Sequence, residues 1–121
     1  MDVVRAPVRA WAEEILRGLG DPPLRNLVVE SRPESGEVEV VLWFPDGTAA
    51  GSYLQAAMTD AEAVVHLADG LQDAAVEQAL GRPLPPCPGH PHPPSARLVS
   101  GVPAWACPRT GGAVRPILAP P

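Results

Sequence analysis

The sequence predicts an α+β fold: a helix, a three-stranded antiparallel meander, a second helix, and then a small metal-stapled β-hairpin. Apolar residues recur every three or four positions over 4–19 and again over 60–80, the period of an amphipathic helix. Between them, residues 37–44 alternate with the period of a strand. After the second helix the composition changes, and twelve of the seventeen prolines fall in residues 82–121. Proline fixes φ and lacks an N–H donor, so this half cannot continue as regular helix or central sheet. The change divides the chain into an α-β-β-β-α body over 1–81 and a Pro-rich hairpin and tail over 82–121. The two parts are expected to pack as one domain, as 121 residues suggest.

In the first helix Val4, Val8, Trp11, Ile15 and Leu19 form one stripe, with Pro7 in the first turn. Gly18, Gly20 and Asp21-Pro22-Pro23 end it. LRNLVVESR (24–32) reads as a strand, and Pro33-Glu34-Ser35-Gly36 as the turn after it. In EVEVVLWF (37–44) Val38, Val40, Leu42 and Phe44 share a face, opposite Glu37 and Glu39. Pro45-Asp46-Gly47 supplies a tight reversal, and TAAGSYL (48–54) returns beside it. Connections this short make the three strands antiparallel neighbours.

Thr59 and Glu62 form a capping box for the second helix. Val64, Leu67, Leu71, Ala75 and Ala79 line its apolar face, and Gly81 and Pro83 stop it. His66 lies beside that stripe and reads as a surface or packing residue. Gly70 in mid-helix is a mild cost with no reason visible in the sequence. Farther on, ARLVS (96–100) and VPAWACP (102–108) flank Gly101 and fit one small hairpin.

The net charge of −5 is unevenly divided. Residues 1–81 hold all fourteen acids against five Arg, a net −9, whereas residues 82–121 hold four Arg and no acid, a net +4. An acidic body without a dense basic face argues against duplex-DNA binding. No apolar run reaches the roughly 18 residues that a membrane helix needs, and the N-terminus lacks a signal-peptide block. A cytoplasmic protein is expected. All nine basic residues are Arg, and with abundant Ala, Gly and Pro this suggests a GC-rich bacterial genome.

The chemistry-bearing stretch is PPCPGHPHPP, residues 85–94. Cys87 and His90 have the two-residue spacing of a metal knuckle, and Gly89 permits the tight turn between them. With Cys107 the pattern becomes C-x2-H-x-H-x14-C, so Cys87, His90, His92 and Cys107 are the expected metal ligands. Thiolate with imidazole points to zinc as the cofactor. A structural zinc contributes about 10–16 kcal/mol, enough to order a segment too rich in proline to fold on its own contacts. A Cys87–Cys107 disulfide, worth about 3 kcal/mol, is the alternative, and two unrelated cysteines a third.

Residues 85–110 resemble a zinc ribbon or zinc knuckle, with CPGH as first knuckle and a hairpin ending in WACP. They depart from the ribbon pattern after Cys107, where Pro108-Arg109-Thr110 offers no second ligand, so His92 would supply it. The order of the body looks like that of double-stranded-RNA-binding domains and of small acidic secretion-chaperone domains. The basic residues of the RNA binders are absent, which leaves the chaperone-like, interaction-module analogy.

Residues 82–121 contain no Asp or Glu, and the chain has no H-E-x-x-H, G-x-S-x-G or phosphate-loop motif. The expected function is therefore that of a zinc-binding, non-enzymatic adaptor or accessory protein with an unknown protein partner, a homodimer being admissible. The alternatives are a zinc-dependent enzyme drawing a base from Asp73 or Glu77, and a weak single-stranded nucleic-acid binder using the Arg-bearing hairpin.

Overall fold

A computed structural model describes residues 7–79, 85 and 92–118 of the chain. The architecture is α+β, with two helices and two three-stranded antiparallel sheets. The elements in order are α1 (Val8–Gly18), β1 (Asn26–Arg32), β2 (Glu37–Trp43), β3 (Ala49–Leu54), α2 (Asp60–Gln78), β4 (Ser95–Val99), β5 (Val102–Ala106) and β6 (Ala113–Pro116). The expected meander is present as β1-β2-β3. The expected hairpin is β4-β5, but it carries a third strand, β6, so it is a second small sheet. Among the described residues no helix is long and apolar enough to cross a membrane.

α1 begins one residue after Pro7, whose carbonyl accepts from the Trp11 amide at 3.0 Å. Its buried positions are Val8, Ala12, Ile15 and Leu16, with Leu19 just beyond. Trp11 packs at the margin of the core, so the buried stripe is rotated slightly from the one read off the large residues. The helix closes in a Schellman arrangement. The Asp21 amide reaches the Leu16 carbonyl at 2.9 Å, the Gly20 amide reaches that of Arg17 at 3.1 Å, and Gly20 takes the left-handed φ of 88°.

Strand alternation then sorts the meander. Val38, Val40 and Leu42 of β2 are buried, while Trp43 at the strand end is exposed. The register sets Val38 opposite Leu54 and Val40 opposite both Val29 and Ser52. α2 packs on β3 and α1, and also on β4 and β5. The capping box is complete: Glu62 N donates to Thr59 Oγ1 at 3.1 Å, and Thr59 N donates to Glu62 Oε1 at 2.9 Å.

Gly70 now has a reason. A Cβ at that position would lie 2.6 Å from Ser52 Oγ and 3.3 Å from Ser52 Cβ, so the glycine lets α2 settle on β3. The cluster at its centre unites Val8, Ile15, Leu19, Val40, Leu42, Leu54, Leu67 and Leu71 with Trp105 of β5 and Ile117. Both sheets therefore contribute to one apolar core.

β4 and β5 are joined by Ser100 and Gly101, with φ of 52° and 79°, the paired positive values of a type I′ turn. In such a hairpin Val99 and Val102 form the closing hydrogen-bonded pair, so Leu98 and Pro103 fall at a non-hydrogen-bonded pair. The missing N–H of Pro103 thus leaves the β4–β5 ladder intact. Its carbonyl, facing the other way, accepts from Ile117 N at 3.1 Å.

Two outcomes are expected of α2. Gly70→Ala should not show the gain of about 1 kcal/mol that helix propensity alone would give, whereas the same change beside Ser52→Gly should recover it. Additive effects in a urea double-mutant cycle would refute the close seating. Glu62 is held below its ordinary pKa, first by its hydrogen bond with the Thr59 backbone and then by the Thr59 side chain. A depressed carboxyl stabilises the fold above its unfolded value of about 4.3, and that contribution is lost as pH falls through the folded value. Melting temperatures of wild type and Glu62→Ala should accordingly differ most near neutrality and converge as pH falls below the depressed pKa of Glu62.

Candidate functional site

Two of the four sequence-derived ligands, Cys87 and His90, lie outside the described residues. Of the other two, Cys107 is buried at the end of β5. Its backbone closes a tight turn, its N–H donating to Gly112 O at 2.9 Å and its C=O accepting from Gly111 N at 2.7 Å. His92 is half-buried, with Nδ1 3.3 Å from the Pro93 carbonyl. Among the described residues no group of three or more His, Cys, Asp or Glu side chains could hold a metal ion. The zinc reading is corrected on that finding. The carboxylates considered as bases, Asp73 and Glu77, are exposed on α2. Asp73 is held above its ordinary pKa, chiefly by partial desolvation of the carboxyl and secondarily by the Asp69 charge one turn away.

What the structure does assemble is a surface on the N-terminal sheet. Side chains of β2 that point away from the core are Glu37, Glu39, Val41 and Trp43. The register adds Val28 opposite Val41, Glu30 and Tyr53 opposite Glu39, and Arg32 opposite Glu37. Trp43 is 42% exposed and Tyr53 47%. Gly51, opposite Val41, leaves the centre of this face low.

One corner is a polar cluster. Arg32 Nη2 donates to Glu39 Oε1 at 2.9 Å, and the guanidinium carbon stands 5.8 Å from the centroid of the Tyr53 ring. Glu39 raises the pKa of Arg32, by hydrogen bond first and charge second. Glu39 raises that of Tyr53 in the same way, so the phenol stays protonated and the guanidinium charged. This cluster orients the Tyr53 ring. Pattern reading found the alternation that creates this face, but the exposure of Trp43 and Tyr53 depends on where the helices lie and was not read from the sequence.

Comparison with protein-family models, with curated proteins and with solved structures gives no match. The zinc-ribbon resemblance is therefore corrected as well, and the physical reason lies in how the C-terminal sheet is held. Trp105, 1% exposed, and Ile117 are part of the main core. The buried Gln72 side chain of α2 donates from Nε2 to the Pro94 carbonyl at 2.5 Å, just before β4. Arg115 Nη2 of β6 reaches the Gly18 carbonyl at 2.6 Å, where the end of α1 favours a cation. Prolines did not leave this segment without contacts of its own. Gln72→Leu should leave the Pro94 carbonyl without this donor and cost about 1–3 kcal/mol. Urea unfolding and amide exchange over β4 would measure it, and an unchanged midpoint would sink the assignment.

Proposed function

We propose that the chain is a non-enzymatic protein-interaction module that presents the outer face of its N-terminal sheet to a partner protein. The observation that carries this reading is the pair of exposed aromatics, Trp43 and Tyr53, on one sheet face with Val28 and Val41. Large rigid aromatics are what the centres of protein interfaces are built from, because they bury much area at small entropic cost. Single exposed apolar residues are ordinary on a surface; two aromatics on one face around a low, glycine-floored centre form a patch.

Charge supports the class of partner. Glu30, Glu37 and Glu39 lie together at one end of this face, next to Val28 and Val41, and the nearby Arg32 is already engaged by Glu39. A complementary surface therefore carries cationic side chains at one end of an apolar patch. Nucleic acid fits poorly, since a net −9 over residues 1–81 repels phosphate.

A photo-crosslinking residue at position 53 in the native cell would trap the partner, whose purified form would then be titrated. Trp43→Ser should weaken binding by about 30-fold or more, the scale of an interface hot spot, with little change in melting temperature because the residue is exposed. Equal affinity for wild type, Trp43→Ser and Tyr53→Ser would refute the surface.

A further inference from the structure

A second surface lies on the opposite half of the molecule, between α2 and β4. β4 is the edge strand of the order β4-β5-β6, and among the described residues no strand pairs with its outer side. The same alternation that makes Leu98–Pro103 a non-hydrogen-bonded pair makes Ala96–Trp105 one too. The backbone N–H and C=O groups of Ala96 and Leu98 therefore point outward, away from β5. Beside this edge runs a groove of about 410 Å³. Met58, Val65, Ala96 and Leu98 give it an apolar lining, and Leu98 is 44% exposed. Its rim on α2 carries Glu62 and Asp69, with His66 between them.

We propose that this groove takes an extended segment of a partner protein by strand addition to β4, a segment whose groove-facing side chains, every second residue, include both apolar and basic ones. Strand addition needs an edge with outward hydrogen-bonding groups and pockets for alternate side chains, and both are present. The charge selects the occupant. Glu62 and Asp69 stand on the rim of the groove and α2 has no Lys or Arg, so cationic side chains that face the groove would find carboxylates there. A second copy of this chain would instead bring two acidic helices together. The proposal rests on the reading of the chain as an interaction module, but on residues that the outer sheet face does not share.

The test uses the full chain and a fluorescein-labelled hexapeptide, Val-Thr-Lys-Thr-Val-Thr, which sets valine and lysine on one face, followed by polarisation. The expected result is saturable binding. It should fall at least tenfold when lysine is replaced by glutamate, or when alternate peptide amides are N-methylated. Leu98→Asp and Asp69→Lys should cause similar losses, and circular dichroism would verify that each variant folds. On binding, the amides of Ala96 and Leu98 should gain protection from hydrogen exchange. Trp43→Ser should leave all of this intact, which separates failure here from failure of the outer-sheet surface. Absence of binding, or binding indifferent to N-methylation, would overturn strand addition. A concentration-dependent dimer abolished by Leu98→Asp, with no peptide uptake, would assign the groove to self-association and overturn the proposed occupant.

Discussion

The fold depends on how closely α2 can approach the first sheet while also serving the second. At Gly70 there is no room for a side chain, because Ser52 of β3 already occupies the space. Setting the helix there buries Leu67 and Leu71 in the same cluster as Val40 and Leu54. The rest of α2 packs on β4 and β5, so Trp105 joins that cluster from the other side. A helix shifted outward by a methyl group would loosen both contacts, since close-packed interiors transmit small displacements. The helix-propensity cost of glycine is about 1 kcal/mol, small beside burial of a tryptophan.

This explains which parts of the molecule were legible in the sequence. The capping box at Thr59 and Glu62, the strand alternation in β2 and the short turns are local devices, and each stands where the residues indicated. The C-terminal hairpin was visible for the same reason, from two short apolar runs around Gly101. Gly70 was legible only as an anomaly, because its partner lies eighteen positions away across a loop. Gln72 gave no signal, since an amide on a helix reads as surface until its acceptor, the Pro94 carbonyl, is known.

The metal reading failed at an energetic premise rather than at motif spacing. Proline density on its own implies that residues 82–121 cannot order themselves, which makes a zinc ion the natural source of free energy. A sheet can carry proline where no ladder bond is required of it. Pro103 sits at a non-hydrogen-bonded pair with Leu98, and Pro116 on the edge strand β6. Trp105 and Ile117, two of the apolar residues that give this half something to bury, then join the main core. Of the expected tetrad, Cys107 belongs to the buried set as a small apolar residue would.

Electrostatics ties the two outer surfaces to this architecture. Three arginines have structural roles: Arg9 donates to the Leu27 carbonyl at 2.9 Å, Arg115 to the end of α1, and Arg32 to Glu39. With those cations engaged, Asp69, Asp73 and Glu77 follow one another at one-turn spacing on a helix without a basic residue of its own. The pKa of Asp73 is raised chiefly by partial burial, and the Asp69 charge one turn away adds to it. Like charges one turn apart destabilise a helix, so the stripe opposes the packing that α2 otherwise secures. A cationic strand laid along β4 would relieve the repulsion and cover Leu98 in the same step. The helix that joins the two sheets is thus also the element whose exposed side gains most from an oppositely charged partner.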